Sequence, residues 1–484
     1  MRVLSSLLAA GLVLAAPSQA AEPDGVGTEQ MVFAHQGNEQ AGGHFLRGLA
    51  LLHNFEYERA AEEFVAAQEA DPDWVMPYWG EAMTHNHSIW WQQDREAALA
   101  AMAKLGKTPQ ARAAKARDDK ERAWLGAVET LYGEGEKRKR DFAYRGKMKA
   151  LFEADPDDVD ARAFYALSIL GTTHDGRDVP TYMQSAAILE DGFMAHEMHP
   201  GLLHYLIHSY DDPVHAPLGL RAAQRYSVVA PDAGHAQHMV SHIFNALGMW
   251  EASEKANVNA DAVVDRQRER DGHCGHYNEW LAYALLQQGK DASALIDGCR
   301  DEVVAAMEEG ANPRSYSWAR MALWKGVETG DYATPLAWGE GKDAAARMMV
   351  AYGLALAARD DAAAAAAQVA ELKALHAALI EDGYDGSEDT AWGERMVAQA
   401  EAVALLAAGR EAEGLAALGK AGEAEAALPA FYGPPLIGKP SYELLGDELL
   451  ALGLRQEAAD AYDKALAFAP GRRQSVAGLA AARQ

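Results

Sequence analysis

The feature that most constrains the fold is a pattern of small and aromatic residues that recurs at both ends of the chain. In residues 41–74, positions 8, 20, 24, 27 and 32 of a unit of about 34 residues are held by Gly48, Ala60, Phe64, Ala67 and Pro72. Near the other end, positions 4, 7, 8, 15, 20, 24, 27 and 32 are held by Tyr442, Leu445, Gly446, Gly453, Ala458, Tyr462, Ala465 and Pro470. Small residues let paired helices approach closely, aromatic residues fill the seam between them, and proline ends the second helix. The pattern predicts stacked helix pairs.

These two units resemble the tetratricopeptide (TPR) repeat. The same phase continues through the middle of the chain, where units start at Pro200, Gly234 and Gly275 and place Gly248 and Gly289 at position 15. Helix-forming residues also dominate the composition. The resemblance implies an all-α, TPR-type α-solenoid, a right-handed superhelix of about ten antiparallel helix pairs.

The first 20 residues are typical of a cleaved signal peptide. Arg2 supplies the positive charge, residues 3–16 form a short apolar run, and Ser18-Gln19-Ala20 is a small-x-small cleavage site. The run is too short to span a bilayer, and no later stretch reaches the roughly 18 apolar residues that a membrane span needs. We expect a periplasmic or secreted protein, cleaved after Ala20, whose residues 21–484 form one solenoid with a histidine-rich central segment, 196–276.

The charge of the chain argues against two classes of partner. Its 71 acidic and 44 basic residues give a net charge of -27. A surface this acidic repels nucleic acid and anionic membranes. We therefore expect neither nucleic-acid binding nor insertion into a membrane.

The chain has two cysteines, Cys274 and Cys299. The repeat register puts them near the start of one helix and the end of its antiparallel partner, which lie side by side. A disulfide between them suits this geometry and an oxidising compartment. The alternative is that His273 and Cys274 are metal ligands.

Histidines are concentrated in the middle of the chain, where eleven of the 17 lie between His174 and His276. Six of them follow the helical period and the repeat register: His204 and His208 at positions 5 and 9, His235, His238 and His242 at positions 2, 5 and 9, and His276 at position 2. Positions 2, 5 and 9 line the concave groove of TPR proteins. The resemblance therefore implies that these six imidazoles face one patch of that groove.

Three or four converging imidazoles suit Zn, Cu or Fe. Asp211 and Glu279 are weak candidates for a catalytic base or for partners that orient the ligands. The chain has no HExxH, GxSxG, P-loop or dinucleotide motif, so the sequence indicates no familiar reaction. A polar groove without a metal, or one that grips a peptide through neutral imidazoles, is the alternative.

The histidine segment also resembles a poorly characterised group of exported bacterial TPR proteins. The matching blocks are His204-Tyr205-Leu206-Ile207-His208, residues 235–244 and residues 276–284, and Val240 stands where the group has a proline. The resemblance implies that the histidines form a site, but it brings no established reaction with it.

Two functions from different classes follow from this sequence. The first is a protein- or peptide-binding module, because TPR grooves commonly hold peptides. The second is metal binding by the groove histidines, either for storage or delivery or in a metal-dependent hydrolase or oxidase.

Overall fold

The structure is a computed structural model that describes residues 24–268, 272–309, 315–332, 343–381, 388–429 and 432–484. The predicted signal peptide, residues 1–20, lies outside the described residues. The described part is almost entirely helical. Its α-helices are α1 (Glu39–His53), α2 (Tyr57–Ala70), α3 (Met76–Met83), α4 (Arg95–Leu105), α5 (Pro109–Ala113), α6 (Asp119–Leu131), α7 (Lys137–Ala154), α8 (Val159–Leu170), α9 (Val179–Phe193), α10 (Pro200–Ser209), α11 (Ala216–Val229), α12 (Gly234–Ala246), α13 (Trp250–Arg268), α14 (His276–Gln287), α15 (Ser293–Glu308), α16 (Ser315–Thr329), α17 (Ala344–Ala357), α18 (Ala362–Leu379), α19 (Glu388–Ala407), α20 (Glu411–Ala426), α21 (Ser441–Ala451), α22 (Arg455–Phe468) and α23 (Arg473–Ala482). One short antiparallel pair, β1 (Asn86–His87) and β2 (Gln92–Gln93), and two 3-10 turns, Thr28–Gln30 and Ser88–Trp90, complete the list.

Consecutive helices pack against each other in antiparallel pairs, so the predicted fold class, an all-α solenoid of TPR type, is confirmed. The small residues of the repeat pattern have the role expected of them. A Cβ atom on Gly48 of α1 would lie 2.9 Å from the ring of Phe64 in α2. Likewise, a Cβ on Gly446 of α21 would lie 2.8 Å from the ring of Tyr462 in α22. Each glycine lets a buried aromatic ring close the seam of its helix pair.

The glycines at repeat position 15 mark where the first helix of a pair ends. Gly248, Gly289 and Gly453 have φ angles of 68°, 69° and 75°. This left-handed conformation is easy for glycine and strained for other residues, and it commonly ends a helix. The register expected from the sequence agrees with the helix starts, since α10 begins at Pro200, α12 at Gly234 and α14 at His276, directly after Gly275.

Both ends of the described chain pack onto the middle repeats. At the N-terminal end, the hydroxyl of Tyr226 donates to Oδ1 of Asn54 over 2.9 Å. At the C-terminal end, the indole of Trp250 donates to the carbonyl of Gly471 over 2.8 Å, and a Cβ on Gly433 would lie 2.1 Å from the ring of Trp280. The segment 432–440 therefore packs on α14 at Gly433 and on α16 at Pro435, whose carbonyl accepts from the indole of Trp324 over 3.2 Å.

A disulfide joins Cys274 to Cys299. It links the segment before α14 to α15, across 25 positions of sequence. His273, the alternative ligand beside it, is instead exposed and paired through Nδ1 with Glu302 at 2.9 Å. Within the described ranges, we find no helix that is both long enough and apolar enough to cross a bilayer.

Candidate metal centre

The six histidines predicted to share the groove form two groups of three. The first triad is His204 and His208 of α10 with His235 of α12. The second triad is His238 and His242 of α12 with His276 of α14. Within each triad, the potential ligand atoms all lie within 4.8 Å of one another. The sequence placed all six on one patch, and the structure brings them together there as two separate sets.

The repeat register explains the division. Positions 5 and 9 of one helix are one turn apart, so their side chains lie above one another on the same face. Position 2 of the next repeat's first helix meets that pair from the side. Each triad uses the same rule, with α10 and α12 supplying the first and α12 and α14 the second. In the following repeat, position 5 is Glu279, which forms an ion pair with Arg320 of α16.

In the first triad, the hydrogen bonds fix which nitrogen faces inward. Nδ1 of His204 lies 2.6 Å from the backbone carbonyl of His53. A carbonyl only accepts, so Nδ1 carries the hydrogen and Nε2 carries the lone pair. This lone pair faces Nε2 of His208 at 3.1 Å. The third member, His235, has a buried Nε2 with no hydrogen-bond partner. A hydrogen on Nε2 of His208 would satisfy the lone pair of His204, which leaves Nε2 of His235 as the nitrogen of this triad without a hydrogen-bond partner.

In the second triad, hydrogen bonds fix the orientation of two of the three rings. Nδ1 of His238 donates to Oδ1 of Asn257 over 2.7 Å, and the amide of Asn257 is oriented by its own donation to the carbonyl of Ser253 over 2.9 Å. Nδ1 of His242 donates to the carboxylate of Asp211 over 2.6 Å. Both rings therefore turn a lone pair inward, and their Nε2 atoms are 3.2 Å apart. Two lone pairs at that distance repel unless a cation, either a proton or a metal ion, lies between them.

The environment opposes protonation of five of the six histidines. Burial, reinforced by neighbouring imidazoles, holds the pKa of His204, His208, His235 and His238 well below the usual range. His276 is exposed towards a cavity, but protein atoms crowd its ring, and this desolvation, with His242 and Arg320 nearby, lowers its pKa to about 3. Neutral imidazole is the form that ligates metals.

The spacing of the nitrogens also fits a metal ion. Metal–nitrogen bonds of 2.0–2.1 Å at tetrahedral angles separate two ligand nitrogens by about 3.3 Å. The Nε2 pairs of the two triads are 3.1 and 3.2 Å apart. The partners on Nδ1 are a backbone carbonyl, an amide oxygen and a carboxylate, which are the groups that orient metal-bound histidines. The donor set is imidazole alone, which suits Zn, Cu or Fe.

A third buried cluster supports the first triad from behind. His53 and His199 flank Asp160, and all three side chains are fully buried. The amide of Leu202 donates to Nδ1 of His199, so the hydrogen of His199 is on Nε2, 3.3 Å from the Asp160 carboxylate. Nε2 of His53 lies 2.9 Å from the same carboxylate, and its Nδ1 lies 3.0 Å from the hydroxyl of Tyr205.

This third cluster is a hydrogen-bonded anchor. Burial opposes ionisation of Asp160, but hydrogen bonds from His199 and His53 outweigh it and hold the pKa of the carboxyl below its usual range. Three of the four ring nitrogens of these histidines have hydrogen-bond partners, and the fourth, Nε2 of His199, faces the Asp160 carboxylate at 3.3 Å. The anchor holds the backbone of His53, whose carbonyl orients His204.

Both triads face one cavity of about 680 Å³. Five of the six histidines line it, and aromatic side chains, among them Trp90, Tyr182, Trp280 and Tyr432, form much of its wall. Arg320 lines it too, and only 11% of its side chain is exposed. A small molecule in the cavity would be able to reach ions held by the triads.

The two weak catalytic candidates have other partners. Asp211 is 2% exposed, and its carboxylate accepts the hydrogen of His242 Nδ1. Glu279 is paired with Arg320. Asp211 therefore orients a ligand, which is one of the two roles the sequence indicated for it, and Glu279 holds the arginine at the cavity wall.

Sequence reasoning missed the groups that orient the histidines. The repeat pattern does not indicate the roles of His53, Asp160 or Asn257. The backbone carbonyl of His53 is 151 positions away from His204 in sequence, so no local pattern could connect them. Asn257 lies 19 positions after His238, on the partner helix of the same pair, and the repeat register could have indicated it.

Comparisons with known proteins add little to this geometry. No family model matches the chain, and no curated protein matches it. Among solved structures, the chain is similar to the TPR domain of P58(IPK), with 12% identity over 92% of this chain and 97% of that one and a TM-score of 0.21. It is also similar to yeast Tom70, with 12% identity over 92% of this chain and 95% of that one and a TM-score of 0.27. Likenesses this distant carry no argument about activity, which therefore rests on the site.

Proposed function

We propose that this chain is an exported metalloprotein whose two histidine triads bind transition-metal ions, Cu, Zn or Fe, at the base of the cavity. The observation that supports it most is the pair of inward lone pairs of His238 and His242, 3.2 Å apart with both Nδ1 atoms already used as donors. A metal ion between them converts this repulsion into two bonds.

Three protein ligands leave a coordination position open, as in catalytic metal sites. The open positions would face the cavity, whose wall includes Trp90, Tyr182, Trp280 and Tyr432 and where a substrate could approach. This arrangement suits a metal-dependent oxidase or hydrolase better than closed storage, in which the protein itself completes the coordination.

The protein- or peptide-binding function stays a prediction. Four of the six histidines are at most 9% exposed, and residues 432–440 lie over the neighbouring face of α14. These histidines are therefore poorly placed to grip an extended peptide.

The test is metal content measured by elemental analysis on protein purified without chelators. A variant with His204→Ala and His238→Ala removes one ligand from each triad. A matched control with His44→Ala and His273→Ala removes two histidines that pair with surface carboxylates elsewhere. We expect bound metal in the wild type and in the control, and its loss in the cavity variant. If wild type and cavity variant both stay metal-free after incubation with each ion, the proposal is wrong, and a search for peptide partners would come next.

A further inference from the structure

The two triads are close enough to act together. The rings of His208 and His242, from different triads, have centroids 6.2 Å apart, and those of His235 and His238 are 6.4 Å apart. Within a triad, ring centroids are 4.6 Å apart for His238 and His276 and 5.1 Å apart for His204 and His235. The boundary between the triads is thus little wider than the triads themselves.

Helix α12 provides the reason for this closeness. It gives His235 to the first triad and His238 to the second, less than one turn further along. Two ions held by the two sets therefore lie on the same side of one helix. Two-metal sites hold their ions about 3.5–4 Å apart, which suits a shared ligand, and ring separations of 6.2 and 6.4 Å across the boundary permit that spacing.

The charges near the site require an anion between the ions. Imidazole ligates metals in its neutral form, so two divalent ions would bring four positive charges into a largely buried region. Two carboxylates contact residues of the triads, Asp211 at the ring of His242 and Glu56 at the backbone N–H of His235, and they offset only part of this charge. Arg320 at the cavity wall adds a positive charge, which Glu279 balances. A ligand from the cavity must therefore carry much of the compensating charge.

We propose that the two triads hold their ions as one dinuclear centre, and that the ligand the ions share is a small inorganic anion, such as hydroxide, that enters from the cavity. This inference rests on the proposed function and adds to it the number of ions, their coupling and the class of ligand. The ions share the anion, which occupies the open position of each.

The experiment loads the full metal-free chain stepwise with Cu(II) and follows it by elemental analysis and electron paramagnetic resonance, with azide as the anionic probe. We expect two copper ions per chain and a resonance that falls below the total copper content, or is strongly broadened, once the second ion binds. We also expect one azide per copper pair.

Two variants make the outcome specific. His276→Ala removes the ligand most open to the cavity and should leave one copper with a full, isolated-ion resonance and azide affinity lowered by about tenfold, since one of the two bridged ions is gone. His273→Ala, three positions away and exposed, should retain two copper ions and the coupled signal.

The outcomes separate the two proposals. Failure of the wild type to bind copper, zinc or iron, each tested by elemental analysis, overturns the proposed function itself. Copper bound at one ion per chain, or at two ions with full uncoupled resonance and two independent azide sites, overturns the dinuclear centre and leaves metal binding intact.

Discussion

At the scale of single residues, the direction in which each imidazole points depends on one hydrogen bond. His238 turns Nε2 inward because Asn257 accepts from its Nδ1. The same holds for His242 with Asp211 and for His204 with the carbonyl of His53. Metal affinity should therefore depend on residues that never touch the metal.

Replacing Asn257 by leucine tests this dependence. The change removes the acceptor and leaves the Nδ1–H of His238 buried without a partner, which should cost about 1–3 kcal/mol of unfolding free energy. The ring is then free to change tautomer, and metal affinity should fall by about 10–100-fold. Asn259→Leu, on the exposed side of the same helix, is the control. Urea denaturation of the metal-free proteins and a metal titration measure both effects, and equal affinities in the two variants would contradict the prediction.

The buried histidines also predict how stability depends on pH. Burial first, and the nearby His208 second, lower the pKa of His204 well below 6.5 in the folded chain, while the unfolded chain keeps about 6.5. Above pH 6.5 both states are neutral and the stabilisation is complete. Below pH 6.5 the histidine becomes protonated in the unfolded chain but stays neutral in the folded chain. The unfolding free energy of the metal-free protein should therefore fall by about 1.4 kcal/mol per pH unit for each such histidine.

Denaturation curves of the metal-free chain between pH 7.5 and 5 check this slope. His204→Gln removes one of the titrating groups, so its curve should decline less steeply with falling pH than the wild-type curve does. Identical slopes would show that His204 takes up its proton in the folded chain as readily as in the unfolded one.

At the scale of helices, the structure depends on glycines that allow aromatic rings into the seams. Gly48→Ala places a Cβ 2.9 Å from the buried ring of Phe64 and should destabilise the chain by about 1–3 kcal/mol. Gly43, on the same helix, has no atom within 4 Å of such a Cβ, so Gly43→Ala should stabilise it by about 0.5–1 kcal/mol. The melting temperature should fall for Gly48→Ala and rise for Gly43→Ala. A shift of both melting temperatures in the same direction would argue against this packing.

Helix α1 ends at His53, so the Gly48 change should also reach the site. A displaced α1 shifts the carbonyl that orients His204, and metal affinity should fall along with stability. Gly43→Ala should leave the affinity unchanged.

The arrangement of the helices could be predicted from the sequence in part. The glycines and aromatic residues of the repeat, and glycines such as Gly248 at its turn, are local signals, so the helix starts and the shared face of the six histidines could be predicted. The grouping into triads depends on how far each repeat rotates against the next, which the period does not specify. The groups that hold His204 in place come from α1 and α8, far away in sequence, and only the folded chain brings them near.

At the scale of the whole molecule, the disulfide restrains the segment that leads into the second triad. Cys274 stands two positions before His276 and is joined to Cys299 of α15. Reduction frees a loop of roughly 25 residues and should lower the unfolding free energy by about 2–4 kcal/mol. Thermal unfolding with and without a thiol reductant measures the loss. A variant with Cys274→Ala and Cys299→Ala should be destabilised from the outset and indifferent to the reductant, whereas an unaltered wild-type transition would contradict the expected contribution.

The two ends of the described chain meet the middle through buried polar groups. Arg472 is 1% exposed and joins Glu443 of its own repeat to Glu328 of α16, and it also donates to the hydroxyl of Tyr283 in α14 over 3.0 Å. Removing one partner of such a buried ionic group typically costs about 3–5 kcal/mol.

That contact has a consequence for how such a chain can evolve. Tandem arrays ordinarily change length by duplication or loss of whole units, because each unit touches only its neighbours. Here a unit gained or lost between α16 and α21 would carry Arg472 away from Glu328 and Tyr283 and leave buried charges uncompensated. The unit number over that stretch is therefore under selection, and inheritance should preserve it while single residues of the surface vary.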